Sequence, residues 1–327
     1  MQDTPRCSAL RACFFSLGIF SMNAFVTALV PIIVLIILGF VLRRVGFLPD
    51  QAWAGMEKLT YYVLLPSLLV RSLGKQTLAG VPWPAMLIVV VGTLTIAAGV
   101  LILLHKVRPG NNATFTSIFQ GGVRFNTYIT LAVAQNLYGP AGLAMGSVAA
   151  GFMIVLINLY CISVFVLWGK ASFRGVYPFV REVVANPLIV ACTIGWVLSL
   201  SGIGLPYMTG DILEIIGRAA LPFGLLAVGA ALRPETVRGQ VSPIVVSTVT
   251  QFGLKPLIVA VLISLTGLSG VEAGALVIAF MTPTSPAGYI LARQLGGDTE
   301  TIASIITLQT LLAFIMMPVI GLLLLEY

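Results

Sequence analysis

The stretch Met281-Thr282-Pro283-Thr284-Ser285-Pro286-Ala287-Gly288 interrupts the apolar run Ala273–Leu295. Each proline removes an amide donor and clashes with the preceding turn, so an α-helix cannot continue unbroken through them. Ser285-Pro286 is a helix-start pair, because serine suits the N-cap and proline suits the first helical position. Backbone without regular hydrogen bonds is tolerated at membrane depth only where protein or a water-filled site covers it. The stretch therefore predicts a helix that is broken at a buried polar site.

A second polar interruption lies in the apolar run Thr114–Leu137, which contains Gln120-Gly-Gly-Val-Arg-Phe-Asn126-Thr127-Tyr128. Asn126 is suited to cap a half-helix there. A proline kink is the plainer explanation of one break. Two breaks at matching positions favour a binding site, because two half-helix N-termini would offer unpaired amides and positive dipole ends to an anion.

The two breaks occupy corresponding places in a doubled chain. Residues that recur 156 positions later are Pro31, Gly39, Gly46 and Leu65-Pro66, found again as Pro187, Gly195, Gly202 and Leu221-Pro222. Residues that recur 158 positions later are Ala134, Leu137 and Gly139, found again as Ala292, Leu295 and Gly297, and the same offset places Asn126 opposite Thr284. Doubling in so apolar a chain is typical of membrane transporters built from two halves.

Composition places the chain in a lipid bilayer. Apolar residues make up 58% and charged residues 9%, with a mean hydropathy of +1.05, whereas soluble proteins carry roughly 25% charged residues. The apolar runs are too long and continuous for the alternating strands of an outer-membrane barrel, which leaves helices. The net charge of +7 lies mostly in short loops, where it sets topology, and so does not indicate a nucleic-acid partner.

Ten transmembrane helices are predicted, five in each half. The spans are Ala24–Leu42, Leu59–Leu73, Pro84–Leu104, Thr114–Leu137, Gly142–Leu167, Asn186–Ile203, Ala219–Leu232, Pro243–Leu265, Ala273–Leu295 and Ile302–Leu325. Because five is odd, the second repeat must be inverted relative to the first. The predicted division is an N-terminal extension over 1–21, a first repeat over 22–168, a cytoplasmic linker over 169–185 and a second repeat over 186–327. A cleaved signal or an added short helix remains an alternative for 1–21.

The loops after the odd-numbered spans carry most of the arginine and lysine, so the positive-inside rule places both termini in the periplasm of a bacterial inner-membrane protein. All eleven acidic residues fall in loops, at span ends or in the tails. A sodium or proton site of the usual kind needs a mid-membrane carboxylate. The positive half-helix ends are therefore predicted to serve an anionic substrate.

The predicted substrate site consists of the polar and proline residues at the two breaks, namely Asn126, Thr127, Thr282, Pro283, Thr284, Ser285 and Pro286. Arg124 and Lys255 are the predicted supporting charges, because buried charge in a membrane is costly and usually functional. For Lys255, three alternatives stay open: a structural counter-charge, a partner of helix C-terminal carbonyls, or a direct substrate contact. Arg124 shares this ambiguity. Gln120, Gln251, Asn158 and Gln309 are expected to bond between helices.

These residues resemble the auxin efflux carrier family, including its bacterial members of the malonate-transporter type. The resemblance runs from Met22 to Leu325 and depends on Pro31…Gly39…Arg43-Arg44, Leu65-Pro66-Ser67, Arg124-Phe125-Asn126-Thr127-Tyr128, Asn186-Pro187, Leu221-Pro222 and Thr282-Pro283-Thr284-Ser285-Pro286. It implies the fold of bile-acid/sodium symporters, with helices four and nine crossed at the substrate and spans one, two, six and seven as a scaffold. Plant members have a proline at both crossovers, whereas the first crossover of this chain has Asn126 and no proline.

The resemblance also implies carboxylate-bearing substrates. The leading prediction is a secondary carrier of small organic anions, such as malonate or auxin-like acids, that moves a transport domain against the scaffold. A sodium- or proton-coupled symporter of the bile-acid type is the alternative. A homodimer through the scaffold helices is a further expectation. No cofactor is expected, and neither a nucleophile–base pair nor a metal cluster appears in the sequence, so an enzyme is not predicted. A channel should show a polar stripe along several helices, which is absent.

Overall fold

The structure is a computed structural model that describes residues 6–75, 80–169, 186–237 and 241–325, with side chains from Phe25 onward. Every regular element in these residues is helical, and no strand occurs among them. The prediction of an all-α chain is therefore confirmed. Of the predicted linker 169–185, all but Gly169 lies outside the described residues. The first helix is described from Arg6, and the division of the chain into two repeats stays a prediction.

The described residues of the first half form six α-helices. They are α1 (Arg6–Arg44), α2 (Asp50–Leu59), α3 (Leu65–Gly74), α4 (Trp83–Val107), α5 (Asn112–Val123) and α6 (Thr127–Trp168), with a π turn over Thr60–Leu64. The long helix α6 is kinked at Gly139, whose φ of 61° and ψ of −147° are not helical. Pro140 follows directly, so the chain turns at a residue without a β-carbon before restarting at proline.

In the second half, eight α-helices occur within residues 186–237 and 241–325. They are α7 (Pro187–Leu200), α8 (Thr209–Arg218), α9 (Ala220–Ala230), α10 (Val241–Val249), α11 (Lys255–Thr266), α12 (Gly270–Met281), α13 (Ala287–Leu295) and α14 (Thr299–Leu324), with a 3₁₀ turn at Pro234–Val237 and a π turn at Thr250–Leu254.

Six segments of the described chain are long and apolar enough to cross a membrane. They are Phe25–Arg44, Trp83–Val107, Asn112–Trp168, Thr209–Ala230, Val241–Thr266 and Thr299–Leu324. Pro187–Leu200 and Gly270–Met281 are apolar but shorter. The number falls below ten partly because α5 and α6 join into one 57-residue apolar segment and because α12 stops at the second break. The chain is an integral, multi-pass membrane protein.

Both π turns precede a proline. Thr60–Leu64 comes before Pro66, and Thr250–Leu254 comes before Pro256. Proline lacks the amide that would bond four residues back, and its ring clashes with that carbonyl. A wider turn of the helix relieves the clash, and such π turns are frequent at functional sites. In the second case the wide turn directly precedes Lys255, which begins α11.

Two helix crossings depend on glycine. In α1, Gly39 lies directly against the backbone of Leu226 in α9. In α7, a β-carbon on Gly195 would lie 2.7 Å from Cβ of Leu73 and 3.4 Å from Cα of Val70 in α3. Close approach of two backbones is the usual role of glycine at membrane helix interfaces. The crossings join α1 to α9 and α3 to α7, which are extensive contacts of the fold.

Asp298 links the start of α14 to the start of α5. Its Oδ1 accepts from the amide of Thr301 at 3.0 Å, and its Oδ2 accepts from the hydroxyl of Thr114 at 2.9 Å. Burial alone would raise the pKa of Asp298, but the hydrogen bonds from Thr301 and Thr114 together hold it below its ordinary value. The ionised carboxylate is therefore the form that the fold stabilises.

Replacing Asp298 by alanine should lower the free energy of unfolding by about 0.5–2 kcal/mol, because α14 loses its N-cap. Since the folded pKa is depressed, the contribution of the charge is present above the unfolded pKa and disappears as pH falls through the folded pKa. Thermal unfolding in detergent across pH measures both effects. Asp298→Asn is the matched control, since it keeps a cap oxygen without the charge. Equal stability of Asp298→Ala and wild type at neutral pH would contradict the cap.

Candidate functional site

A cavity of about 550 Å³ lies between the two helix breaks and α2, α3, α6, α7 and α9. Cavities of roughly 300–1,000 Å³ are typical of small-molecule sites. From the breaks, the lining residues are Arg124, Phe125, Thr127, Ser285, Pro286 and Ala287. From the surrounding helices, the polar and aromatic lining residues are Glu57, Lys58, Tyr61, Tyr62, Tyr128, Asn158, Asn186 and Gln294. The cavity thus brings residues from both halves of the chain together.

The first break spans the residues between α5 and α6. Asn126 has extended φ/ψ, and its Oδ1 accepts from the amides of Tyr128 at 3.1 Å and Ile129 at 3.2 Å. This is the N-cap that the sequence predicts. Its Nδ2 is buried and has no hydrogen-bond partner among the described residues. The asparagine oxygen thus replaces helical partners for two of the orphan amides at the start of α6.

The second break spans the residues between α12 and α13. Thr282 is extended and ends α12. The Oγ of Ser285 accepts from the amide of Ala287 at 3.3 Å, so serine caps the new helix as predicted. Pro286 already has helical φ/ψ, although α13 is assigned from Ala287. A difference of one residue at a helix start is within the usual ambiguity of helix ends.

Each broken helix ends against the restart of the other. The hydroxyls of Thr130 in α6 and Thr282 at the end of α12 are 3.1 Å apart. Gln120 near the end of α5 donates from Nε2 to the carbonyl of Gly288 in α13 at 3.4 Å. The negative end of one half-helix therefore lies near the positive end of the other, which is favourable for both dipoles.

Two buried glutamines bind the backbone at the breaks. The side chain of Gln309 in α14 accepts from the backbone N–H of Thr284 at 3.0 Å and donates to the carbonyl of Gly121 at 3.0 Å. This one side chain therefore bridges both breaks. Gln251 donates to the carbonyl of Thr282. As predicted, these side chains bond between helices, and they satisfy backbone groups that no helix satisfies.

Arg124 is the break residue whose charge reaches the cavity. Its side chain is 8% exposed. Nε donates to Oε1 of Gln120 at 2.9 Å, and Nη2 donates to Oδ1 of Asn158 at 3.3 Å. Among the described residues no carboxylate oxygen lies within 4 Å of the guanidinium. Two neutral oxygens thus hold the guanidinium in place, and no carboxylate of the described ranges pairs with its charge.

Lys255 lies behind the cavity wall and does not line it. Its Nζ donates to Oε1 of Gln251 at 2.6 Å, to the carbonyl of Arg124 at 3.2 Å and to the carbonyl of Val123 at 3.4 Å. Of the three roles left open by the sequence, this geometry corresponds to a partner of helix C-terminal carbonyls.

The predicted site residues divide into two groups. Thr127, Ser285, Pro286 and Arg124 line the cavity, whereas Asn126, Thr282, Pro283 and Thr284 are buried beside it and do not line it. Thr282 and Thr284 instead contact the backbone, through Ala279 and Gln120 respectively.

The cavity also contains residues that the sequence analysis did not select. Glu57, Tyr61 and Tyr62 come from α2 and the first π turn, and Asn186 comes from the start of α7. The pair Asn186-Pro187 enters the sequence analysis only as part of the family resemblance, and not as a site residue. The sequence does contain a signal for the two tyrosines. Tyr61 and Tyr62 lie shortly before Pro66, as Gln251 lies shortly before Pro256.

Comparison with known proteins identifies the class. The chain matches the model of a family described as membrane transport protein, over residues 24–174 and 170–321. It is 22% identical over 289 residues to a protein of Methanothermobacter thermautotrophicus described as an uncharacterized transporter, covering 88% of this chain and 94% of that one. The chain therefore belongs to the membrane transport protein family, which is the auxin efflux carrier family of the resemblance, and it is a membrane transporter.

Proposed function

We propose that the protein is a secondary carrier of small organic anions, with carboxylates such as malonate or auxin-like acids as substrates, in the inner membrane of a bacterium. The observation that carries the proposal is the Arg124 guanidinium, which lines the cavity without a carboxylate partner among the described residues. A carboxylate would form charge-assisted hydrogen bonds with it, and these are roughly twice as strong as neutral ones. The capped start of α13 at Ser285 and Pro286 adds a positive dipole end to the same wall.

The proposed architecture is ten membrane helices in two inverted repeats. Two glycine crossings support it. Gly39 contacts Leu226, and Gly195 contacts Val70. Gly195 is 156 residues after Gly39, and Leu226 is 156 residues after Val70. Each crossing thus pairs a glycine of one half with a residue of the other half, and the repeat offset converts one crossing into the other. In this proposal α1, α3, α7 and α9 belong to the scaffold, and the two broken helices belong to the moving domain. A homodimer through the scaffold is part of the proposal.

The proposed cytoplasmic side is the one at which the cavity opens. Lys58, Ala54 and Gln294 are exposed lining residues. Lys58 and Ala54 belong to α2, which begins at Asp50, and Asp50 pairs at 3.1 Å with Arg43 at the basic end of α1. The positive-inside rule assigns that end to the cytoplasm and both termini to the periplasm. A cytoplasmic anion could then enter this conformation, which suits export.

One observation favours a second candidate, a proton-coupled anion symporter. Glu57 lines the cavity and forms no ion pair within 4 Å among the described residues. A carboxyl group beside an anionic substrate would bind a proton more readily, because like charges disfavour the ionised form. Protonation of Glu57 would then accompany substrate binding.

The test is transport of radiolabelled malonate and indole acids by purified protein in liposomes. We expect flux of a monoanion to need no sodium and to follow a potassium–valinomycin potential. A potential of 100 mV contributes about 2.3 kcal/mol per charge, so at steady state a monoanion is roughly fiftyfold more concentrated on the positive side of the membrane. Protein-free liposomes are the control. Flux that ignores the potential and rises with a proton or sodium gradient would support the coupled symporter instead, and no flux of either acid class would contradict the proposed substrates.

A further inference from the structure

Lys255 is a buried cation that the proposed substrate cannot reach. Its side chain is 0% exposed and does not line the cavity. Its three oxygen neighbours are Oε1 of Gln251 at 2.6 Å and the carbonyls of Arg124 at 3.2 Å and Val123 at 3.4 Å. None of the described residues places a carboxylate within 4 Å of it. The charge therefore acts on protein oxygens at the first break.

The three oxygens favour the charged form of this side chain, whereas burial opposes it. An ammonium has three N–H donors and no acceptor, which matches three acceptor oxygens one for one. A neutral amine would direct a lone pair at one of these oxygens. The carbonyls of Val123 and Arg124 also form the C-terminal end of α5, where the helix dipole is negative. The ring of Phe280, with its centroid 5.9 Å from Nζ, adds a cation–π contact.

The second break has no counterpart of this cation. At the end of α12, the carbonyl of Thr282 accepts from the amide of Gln251. Gln251 thus gives its nitrogen to one break and its oxygen to Lys255 at the other. For repeat offsets of 156 to 158, the positions that correspond to Lys255 are Gly99, Ala98 and Ala97, none of which can carry a charge. The positive charge is therefore a property of one break only.

The shell around the ammonium has the chemistry of a monovalent cation site. Unwound backbone carbonyls and half-helix C-terminal ends are what coordinates sodium in transporters with broken helices. Here two such carbonyls and a side-chain amide oxygen converge on one point, and the lysine ammonium occupies it. We infer that Lys255 supplies a tethered cation to an oxygen shell that would otherwise bind a free monovalent cation, and that the shell becomes such a site when the ammonium is removed.

A tethered cation cannot dissociate during a transport cycle. While the amine is protonated, its charge remains beside the carbonyls of Val123 and Arg124, so no sodium gradient is spent or needed at this shell. This consequence for coupling rests on the proposed carrier function, whereas the cation site itself does not.

The experiment measures cation-dependent thermal stability of the purified full-length protein in detergent. Wild type and Lys255→Ala are unfolded in sodium, methylammonium or N-methylglucamine chloride at equal ionic strength. We expect wild type to respond equally to all three salts. Lys255→Ala should unfold at a lower temperature and recover by about 2 °C or more, saturably, in sodium or methylammonium but not in N-methylglucamine. Lys106→Ala is the matched control, since it removes an exposed lysine at the end of α4.

A second variant keeps the inference testable if Lys255→Ala does not fold. In Gln251→Glu/Lys255→Ala, a carboxylate replaces the amide oxygen of the shell. We expect this variant to be stabilised by sodium at concentrations about tenfold lower than Lys255→Ala, or to fold only when the cation is present. Absence of a specific sodium or methylammonium effect in both variants, or an equal effect in Lys106→Ala, would overturn the inference. Because no substrate is used, failure of the liposome transport test leaves this result unaffected.

Discussion

Replacing Arg124 by leucine should weaken anion binding by about tenfold to more than a hundredfold, because a hydrogen bond to a charged partner contributes about 1.5–3 kcal/mol. The guanidinium is held by Gln120 and Asn158 and has further N–H donors free for a ligand. The loss should appear as a higher substrate concentration at half-maximal flux, with the protein still inserted and folded. Arg124→Lys should recover part of the affinity, since the charge remains but the two-pronged geometry does not.

Arg108→Leu is the matched control for this variant. Arg108 is exposed in the loop after α4, and its replacement changes the net charge equally without touching the cavity. Transport assays of the three variants at two salt concentrations separate a local contact from a general field, because exposed charges are screened by salt. An affinity of Arg124→Leu equal to that of Arg108→Leu would remove Arg124 from the site and with it the main support for an anionic substrate.

Local backbone chemistry was the part of the structure that the sequence predicted best. The two interruptions follow from Pro283, Pro286 and the polar run that ends at Asn126, and both occur where predicted. The caps at Asn126 and Ser285 follow from residue type and position. These features depend on neighbours along the chain, so one sequence is sufficient to predict them. The all-helical class follows in the same way from the long apolar runs.

Which side chains line the cavity could not be read from the chain. That choice depends on the rotation of each helix about its axis, and a π turn inserts an extra residue that shifts the rotation of all residues beyond it. Such a turn immediately precedes Lys255. The other π turn, Thr60–Leu64, contains Tyr61 and Tyr62, which line the cavity although they are not among the predicted site residues. Long-range pairs such as Gln309 with Gly121 involve tertiary packing that no local pattern encodes.

The prediction that acidic residues lie only in loops, at span ends or in the tails did not anticipate a carboxylate in the cavity wall. Glu57 precedes the second predicted span and was counted as a span-end residue, yet α2 brings it to the cavity wall. The reason is that α2, the π turn and α3 continue as one helical path into the protein. A residue at a predicted membrane boundary can therefore line a site that opens at that boundary. The charged side chains that line the cavity are therefore Arg124, Glu57 and Lys58.

Gln309→Leu should be the most destabilising single change at the breaks. Leucine fills a similar volume but cannot pair the amide of Thr284 or the carbonyl of Gly121, which both depend on Gln309. Each buried group left without a partner costs about 1–3 kcal/mol, so the expected loss is about 2–6 kcal/mol of unfolding free energy. Transport should fall to the background of protein-free liposomes, because one amide joins both breaks and its removal loosens them together.

Gln51→Leu is the matched control for this second variant, since it makes the same chemical change at an exposed position in the first turn of α2. Surface substitutions of this kind are usually within about 0.5 kcal/mol of wild type.

Thermal unfolding in detergent and liposome flux are measured on both proteins and on Gln309→Glu, which keeps an acceptor for Thr284 but loses the donor to Gly121. We expect Gln309→Glu to fall between wild type and Gln309→Leu in stability only when its carboxyl group is protonated, because an ionised carboxylate would face the Gly121 carbonyl without a proton to share. A Gln309→Leu protein as stable and active as Gln51→Leu would show that the breaks do not need this bridge, and the two broken helices could then no longer be treated as one unit.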